Sequence, residues 1–199
     1  MFESRENNMR ARTLIWALVG AAAVATAGCG EYGKVEQGRV ITYNKQSHQV
    51  TLILDSTAGQ AAKPAYDALP PVVVKSPEDP GEMGPDPQAG KLLRVDLKNR
   101  QIVVFDAAAN QLRSIQYTPL EERHNVARGT GLPAIDKAKQ TITVYWPPEK
   151  TAVTFSASED LLAMPADTWK VGDEVRYYYK DPAQALRMMN VTRTDLNKS

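Results

Sequence analysis

The chain of 199 residues contains one cysteine, Cys29, and only two histidines, His48 and His124. A single thiol cannot form an intramolecular disulfide, and it cannot supply a zinc–thiolate site or an iron–sulfur cluster. The spacings G-x-S-x-G and H-E-x-x-H, typical of some hydrolases and metalloproteases, do not occur. We therefore expect a domain that is stabilised by its apolar core, with no cofactor, no metal and no identifiable catalytic residue.

The chain also lacks an excess of charge and a long hydrophobic run. Residues 29–199 carry equal numbers of acidic and basic side chains, so we expect no nucleic-acid partner. The apolar stretch 13–27 has 15 residues, whereas a membrane-spanning helix needs about 20. Arg10 and Arg12 precede this stretch and a polar segment follows it, which is the layout of a cleaved signal peptide. Met9 offers a second start with the same layout.

Small residues precede the cysteine in the segment 24–29 (VATAGC). This segment resembles the lipobox of bacterial lipoproteins, in which the cysteine receives a diacylglycerol and becomes the mature N-terminus. Ala27 and Gly28 match the pattern, whereas Thr26 stands where an aliphatic residue is usual. The resemblance implies lipidation of Cys29. The alternative is cleavage after Ala27 at an A-x-A site, which would release a soluble protein with a free thiol.

Three segments begin with Gly and end on Asn or Asp, and a strand-like segment starts six residues after each Asn or Asp. The first segments are 38–44, 90–96 and 131–136, and the strands that follow begin at Val50, Ile102 and Ile142. Alternating β-branched and aromatic residues on both sides of a short polar stretch predict a β-hairpin. The sequence therefore predicts three related hairpins.

Residues 170–175 (KVGDEV) resemble the turn-and-strand element of small OB-type and SH3-like barrels. Together with the hairpins, this predicts an all-β protein of antiparallel hairpins that form one or two small OB- or SH3-like barrels or twisted sheets, after a cleaved signal peptide. Whether residues 29–199 form one domain or two stays open. The expected segments are a signal peptide (1–28), a first hairpin region (29–75), a Pro/Gly-rich acidic loop (76–90), a second hairpin region (91–130) and a C-terminal barrel-like unit (131–199).

The loop 76–90 contains four prolines and three glycines, which exclude a regular helix or a central strand. Its carboxylates do not have the alternate spacing of a calcium-binding loop. A solvated loop stiffened by proline is the favoured interpretation, and a partner-docking segment stays open. The carboxylates are Glu78, Asp79, Glu82 and Asp86.

Two chemical alternatives remain. A Cu(I) site is one, because thioethers and imidazoles bind soft metals without thiolate. Its candidate ligands are Met164, Met188, Met189 and Trp169 with His48 or His124. Adjacent methionines in a strand point to opposite faces, so core packing is the favoured role of Met188 and Met189. The other alternative is a periplasmic hydrolase that uses Glu122 with His124, although such charges are usually exposed ion pairs.

The signal sequence, the segment 33–40 (GKVEQGRV), the acidic proline loop and the segment 187–192 (RMMNVT) are similar to uncharacterised lipoproteins of sulfate-reducing proteobacteria. This resemblance implies an envelope lipoprotein without a known activity. Gly30 is not the Asp that retains lipoproteins at the inner membrane of enteric bacteria, which favours the outer membrane. We expect a lipid-anchored protein that faces the periplasm, has a binding or scaffolding role, and contacts the membrane through Cys29 and an envelope protein as partner.

Overall fold

The computed structural model of the chain describes residues 32–58, 60, 63–129 and 131–194. Within those residues the chain forms twelve strands, one short α-helix and two 3-10 helices. The strands are β1 (Lys34–Asn44), β2 (Gln49–Asp55), β3 (Tyr66–Lys75), β4 (Leu92–Asp96), β5 (Gln101–Asp106), β6 (Gln111–Gln116), β7 (Pro119–Arg123), β8 (Ala134–Asp136), β9 (Thr141–Trp146), β10 (Thr151–Ser156), β11 (Glu174–Asp181) and β12 (Gln184–Asn190). The helices are α1 (Glu159–Leu162) and the 3-10 helices Pro147–Glu149 and Ala166–Trp169.

Five strands from the two ends of the described chain close into a barrel. Their order around it is β1-β11-β12-β3-β2. Neighbouring strands are antiparallel except β12 and β3, which are parallel and meet at Gln184 and Lys75. This arrangement, a five-stranded barrel with one parallel contact, is of the OB type. The predicted all-β class and the predicted small barrel are therefore confirmed.

The barrel interior is filled by alternate residues of its strands, because successive side chains of a strand point to opposite faces. The buried core residues are Val40, Val50, Leu52, Val74, Val175, Tyr177, Tyr179, Ala185 and Met188. The rings of Tyr177 and Tyr179 stack with centroids 5.4 Å apart. Both hydroxyls donate hydrogen bonds to the carboxylate of Glu36, at 2.7 and 2.9 Å. The carboxylate of Glu36 thus lies at the end of the apolar barrel interior, near the start of β1.

The chain between β3 and β11 forms two further sheets. One contains β4-β5-β6, and the other contains β7-β10-β9-β8. Side chains from both sheets share one core, which includes Ile102, Ile142, Phe155 and Trp169. The ring of Phe155 meets that of Trp169 edge-on, with centroids 5.9 Å apart. We call this part, residues 91–170, the insert.

The insert packs on the outside of the barrel. Ile41, Ile53 and Tyr66 of the barrel form a buried cluster with Leu93 and Phe105 of the insert. Strands 2 and 3 of an OB barrel form the face that commonly binds oligonucleotides or oligosaccharides. Here the insert covers part of that face, so the surface available for such ligands is reduced.

The three predicted hairpins are present as β1–β2, β4–β5 and β8–β9. In each turn the leading Asn or Asp side chain accepts a hydrogen bond from a backbone N–H two or three residues later. The residue that ends each turn has a left-handed φ, and these residues are His48, Arg100 and Gln140. A fourth hairpin with the same turn, β5–β6, begins at Asp106 and was not predicted.

The expected boundaries differ from the observed ones at the C-terminal end. The segment 131–199 was expected to form a barrel-like unit, but its described part is divided between two regions. Strands β8, β9 and β10 belong to the insert, whereas β11 and β12 complete the barrel with β1, β2 and β3. The reason is that β11 and β12, which pair with each other, also pair with β1 and β3 and not with β10. Residues 34–199 cluster as one compact unit.

The predicted signal peptide and Cys29 lie outside the described residues. None of the helices in the described part of the chain is long and apolar enough to cross a bilayer.

Candidate functional site

Among the described residues, the most buried charged group lies where the barrel, the loop 76–90 and the insert meet. Asp173 precedes β11 and is 0 % exposed. Its Oδ2 accepts hydrogen bonds from Arg193 Nε at 2.5 Å, Asn190 Nδ2 at 2.9 Å and the backbone N–H of Gln88 at 2.9 Å. Its Oδ1 accepts one from Arg128 at 3.3 Å. One carboxylate therefore joins four separate segments.

A second polar cluster surrounds Arg39, which points outward from β1 beneath the insert. The guanidinium carbon lies 4.4 Å from the ring centre of Tyr66 and 5.7 Å from that of Trp146. One terminal nitrogen lies 3.6 Å from Glu174 Oε1, which also accepts a hydrogen bond from the Tyr66 hydroxyl. Gln37 donates to that hydroxyl at 3.0 Å. The cluster combines cation–π contacts with an ion pair.

This cluster is closed to substrates. Arg39 is 6 % exposed, and burial lowers its pKa to about 10, against the opposing influence of Glu174 and Asp173. A cation held in this way, with its aromatic and acidic partners supplied by β3, β9 and β11, fixes the insert to the barrel. We interpret both clusters as structural joints.

The loop 76–90 is also held in place, and we call it the strap. The backbone of Glu82 and Gly84 exchanges hydrogen bonds with Met188 of β12, at 2.9 and 2.8 Å. The N–H of Gly90 donates to the carbonyl of Val40 in β1 at 3.1 Å. The strap therefore lies across the barrel, while residues 78–81, 85, 86 and 88 stay exposed to solvent.

The carboxylates of the strap have separate partners. Glu78 pairs with Lys75, Glu82 pairs with Arg187, and Asp86 accepts hydrogen bonds from Lys45 and Tyr43. Asp79 accepts one from the backbone of Gly81. Glu78, Glu82 and Asp86 thus tie the strap to the barrel, Asp79 bonds within the strap, and the four carboxylates do not converge on one point. Among the described residues, no group of three or more His, Cys, Asp or Glu side chains stands close enough to hold a metal ion.

The residues considered for soft-metal binding lie apart. Met188 is buried in the barrel core, and Met164 packs with Trp169 in the core of the insert. Met189 follows Met188 in β12 and pairs across the sheet with Arg176. His48 ends the β1–β2 turn. The structure does not bring Met164 and Met188 together.

The residues considered for acid–base chemistry also have separate partners. Glu122 forms an ion pair with Arg100. His124 Nδ1 lies 3.1 Å from the hydroxyl of Thr151, which donates to the backbone carbonyl of Glu149. The Glu122 and His124 side chains are therefore each engaged by a different strand or turn.

Two open depressions mark the surface of the described residues. The first, of about 330 Å³, is lined by residues that include Gln37, Asp55 and Arg176. Burial alone would raise the pKa of Asp55, but hydrogen bonds from Thr57 and Ala65 outweigh it and lower that pKa. Arg176 donates to the Gln37 side chain at 2.9 Å. The side chains of Asp55 and Gln37 are thus already hydrogen-bonded within the chain.

The second depression, of about 300 Å³, lies on the insert. Two of its charged lining residues form ion pairs, Lys91 with Asp167 at 2.7 Å and Arg113 with Asp160. Asp106, also in the lining, accepts hydrogen bonds from the backbone N–H groups of Ala108 and Ala109.

Sequence reasoning did not identify Arg39, Asp173 or Glu174 as site residues. A signal was present, because Arg39 interrupts an otherwise apolar buried stretch of β1. An arginine in such a position needs a buried acidic partner. The sequence could not name the partner, since Glu174 is distant along the chain.

Comparison with known families gives one match. Residues 31–199 match the family described as "Domain of unknown function (DUF4881)". Because this match covers most of the chain, the chain belongs to that family. No curated protein and no solved structure matches the chain.

Proposed function

We propose that this DUF4881 domain is a lipid-anchored protein of the bacterial envelope, which faces the periplasm and has a binding or scaffolding role. The observation that carries the proposal is the position of Cys29, directly after a basic start, an apolar run and a row of small residues. The family match begins at residue 31, two residues after that cysteine. The part of the chain shared with the family is thus the part that would follow the lipid.

A scaffolding role agrees with the use of the buried charges. Arg39 and Asp173 each bridge several segments and are nearly inaccessible. Buried charges with such partners hold a defined arrangement of segments, and removing one partner is costly. A rigid body of this kind, attached to a membrane by a lipid, is suited to presenting its outer surfaces to another envelope component. Gly30 after the cysteine favours the outer membrane as its place.

The experiment is cell fractionation of the full chain and a Cys29→Ser variant. We expect the wild type in the membrane fraction, resistant to salt and released by detergent, because acyl chains anchor without a spanning helix. The variant should be recovered in the periplasmic fraction. A Thr26→Leu variant, which restores the usual aliphatic residue, should be processed at least as completely as the wild type.

Recovery of the Cys29→Ser variant in the membrane fraction, with the same resistance to salt, would contradict the anchor. A binding role is tested on the anchored protein by crosslinking in intact cells. The expected result is a crosslinked envelope protein that is retained by the wild type and lost on release from the membrane.

A further inference from the structure

We propose that one side of the barrel, at the start of β1, lies against the bilayer and binds anionic phospholipid. We call this side the membrane face. It consists of Val35, Tyr178 and Leu186 with the basic residues Arg176 and Lys180 of β11. The inference rests on lipidation of Cys29, which is the function proposed above.

The segment between Cys29 and β1, which we call the tether, is short enough to hold the barrel close to the membrane. Only residues 30–33 separate Cys29 from β1. An extended chain spans at most about 3.6 Å per residue, so Lys34 lies within roughly 18 Å of a lipidated Cys29. This is less than the length of many single strands of a small barrel. The start of β1 must therefore stand at the bilayer surface and not at the end of a long stalk.

The side chains at this position form an apolar row across three strands. Val35 of β1 is the cross-strand partner of Tyr178 in β11, and Tyr178 is the partner of Arg187 in β12. Cross-strand partners project to the same face of a sheet. Leu186 is an additional residue at the register shift beside this row.

These apolar side chains are exposed, Val35 by 59 % and Leu186 by 46 %. A single exposed apolar residue is ordinary. Two of them on the strands that flank the half-buried Tyr178, near the start of β1, indicate a surface that is covered when the protein is in place.

The charges around the row fit an anionic surface. The outward residues of β11 are Arg176, Tyr178 and Lys180 in succession, so an aromatic residue stands between two cations. Tyrosine is favoured at the membrane–water interface, and lysine and arginine are attracted to anionic headgroups.

The acidic side chains nearby have hydrogen-bond partners of their own. Asp55 lines the same depression as Val35 and Arg176, and it accepts hydrogen bonds from Thr57 and Ala65. Glu36 accepts hydrogen bonds from the hydroxyls of Tyr177 and Tyr179. Arg187 is paired with Glu82 of the strap, and Asp181 accepts a hydrogen bond from Ala183 in the β11–β12 turn. Arg176 and Lys180 have no carboxylate partner within ion-pair distance among the described residues. Headgroup phosphates would supply those partners.

The test places a reporter on the membrane face of the lipidated full chain. In that protein the Cys29 sulfur is a thioether, so Val35→Cys or Leu186→Cys introduces the only free thiol. Each is labelled with an environment-sensitive fluorophore and reconstituted into vesicles of phosphatidylcholine with phosphatidylglycerol, some of which carry a lipid quencher near the headgroup. Leu120→Cys is the matched control, because Leu120 is also apolar and 59 % exposed but lies on β7 of the insert.

We expect blue-shifted emission and quenching at positions 35 and 186, and water-like emission without quenching at position 120. Equal emission at all three positions would overturn the proposal, and so would crosslinking of positions 35 and 186 to a protein in cells in place of lipid quenching. Equal quenching in phosphatidylcholine alone would overturn anionic lipid as the partner. Labelling of the wild type itself reports a free Cys29 thiol, so a failure of lipidation is distinguished from a failure of the membrane face.

Discussion

Arg193 Nε donates a hydrogen bond to Asp173 Oδ2 over 2.5 Å, and this contact joins the turn after β12 to the start of β11. Because the same carboxylate also accepts from Arg128, Asn190 and Gln88, it acts as the joint between the barrel, the strap and the insert. This joint explains how strands from both ends of the chain hold a long inserted segment in a fixed place.

We expect Asp173→Ala to lower the free energy of unfolding by about 3–5 kcal/mol, because it leaves buried donors without their acceptor. Urea unfolding followed by circular dichroism measures the change. Asp67→Ala is the control, since Asp67 is exposed, and we expect its effect to stay within about 0.5 kcal/mol. Equal effects of the two substitutions would show that Asp173 is not a joint.

Gly172 is required by the close approach of two backbone segments. A Cβ at this position would lie 1.9 Å from the carbonyl oxygen of Val40 and 2.9 Å from that of Gly90. We expect Gly172→Ala to destabilise the protein by at least about 2–3 kcal/mol, because backbone atoms cannot move aside as a side chain can. The melting temperature in a thermal scan measures this.

Gly81→Ala is the matched control in the strap. Its added Cβ meets only the Asp79 side chain, at 3.2 Å, which can rotate away. Equal melting temperatures of the Gly172→Ala and Gly81→Ala proteins would contradict the observed packing.

The insert and the barrel should unfold together, because Phe105 of β5 packs against Ile41, Ile53 and Tyr66 of the barrel. We expect Phe105→Ala to cost about 3–5 kcal/mol. Trp146 and Trp169 report on the insert by fluorescence, and far-ultraviolet circular dichroism reports on all strands. In Phe105→Ala, the unfolding midpoints from fluorescence and from circular dichroism should decrease by the same amount. In Leu120→Ala, neither midpoint should change. Separate transitions in the wild type would refute a shared core.

The carboxylates in two hairpin turns, Asp96 and Asp136, should make the protein less stable in acid. Hydrogen bonds from the backbone and side chain of Asn99 lower the pKa of Asp96, and a backbone hydrogen bond from Lys139 lowers that of Asp136. A carboxyl whose pKa is lower in the folded state contributes stability above its unfolded pKa, here near 3.8, and loses it as the pH falls through the folded value. We expect stability to decrease below about pH 4.

The variant Asp96→Asn with Asp136→Asn tests this source. Asn44 has the same role in the first hairpin, so an amide can keep the turn while it removes the titration. Urea unfolding from pH 7 to pH 2 should show a shallower decrease for the variant than for the wild type. Parallel curves would assign the acid sensitivity to other groups.

The hairpins could be predicted because their information is local. Each leading Asn or Asp contacts the next few backbone N–H groups, and the strands alternate on either side. The fourth hairpin has Asp106 in the same role, and its leading Asp was the available signal. The strand that begins at Ile102 does not show the expected alternation, since Ile102 to Phe105 are all buried.

The closure of the barrel could not be predicted, because it depends on contacts between distant segments. Lys75 and Gln184 meet in the parallel contact of β3 and β12, and nothing in either segment specifies the other. The same holds for Arg39 with Glu174, and for Asp173 with Arg128. The strap's prolines indicated an irregular segment, but its docking depends on cations such as Lys45 and Arg187 elsewhere in the chain.

The central claim is the lipid on Cys29, and its most direct measurement is the intact mass of the protein purified from its native membrane beside a Cys29→Ala form. We predict a chain that begins at Cys29 with the added mass of a diacylglyceryl group, absent from the variant. An unmodified soluble chain that begins at Gly28 would contradict the anchor and the membrane face that depends on it.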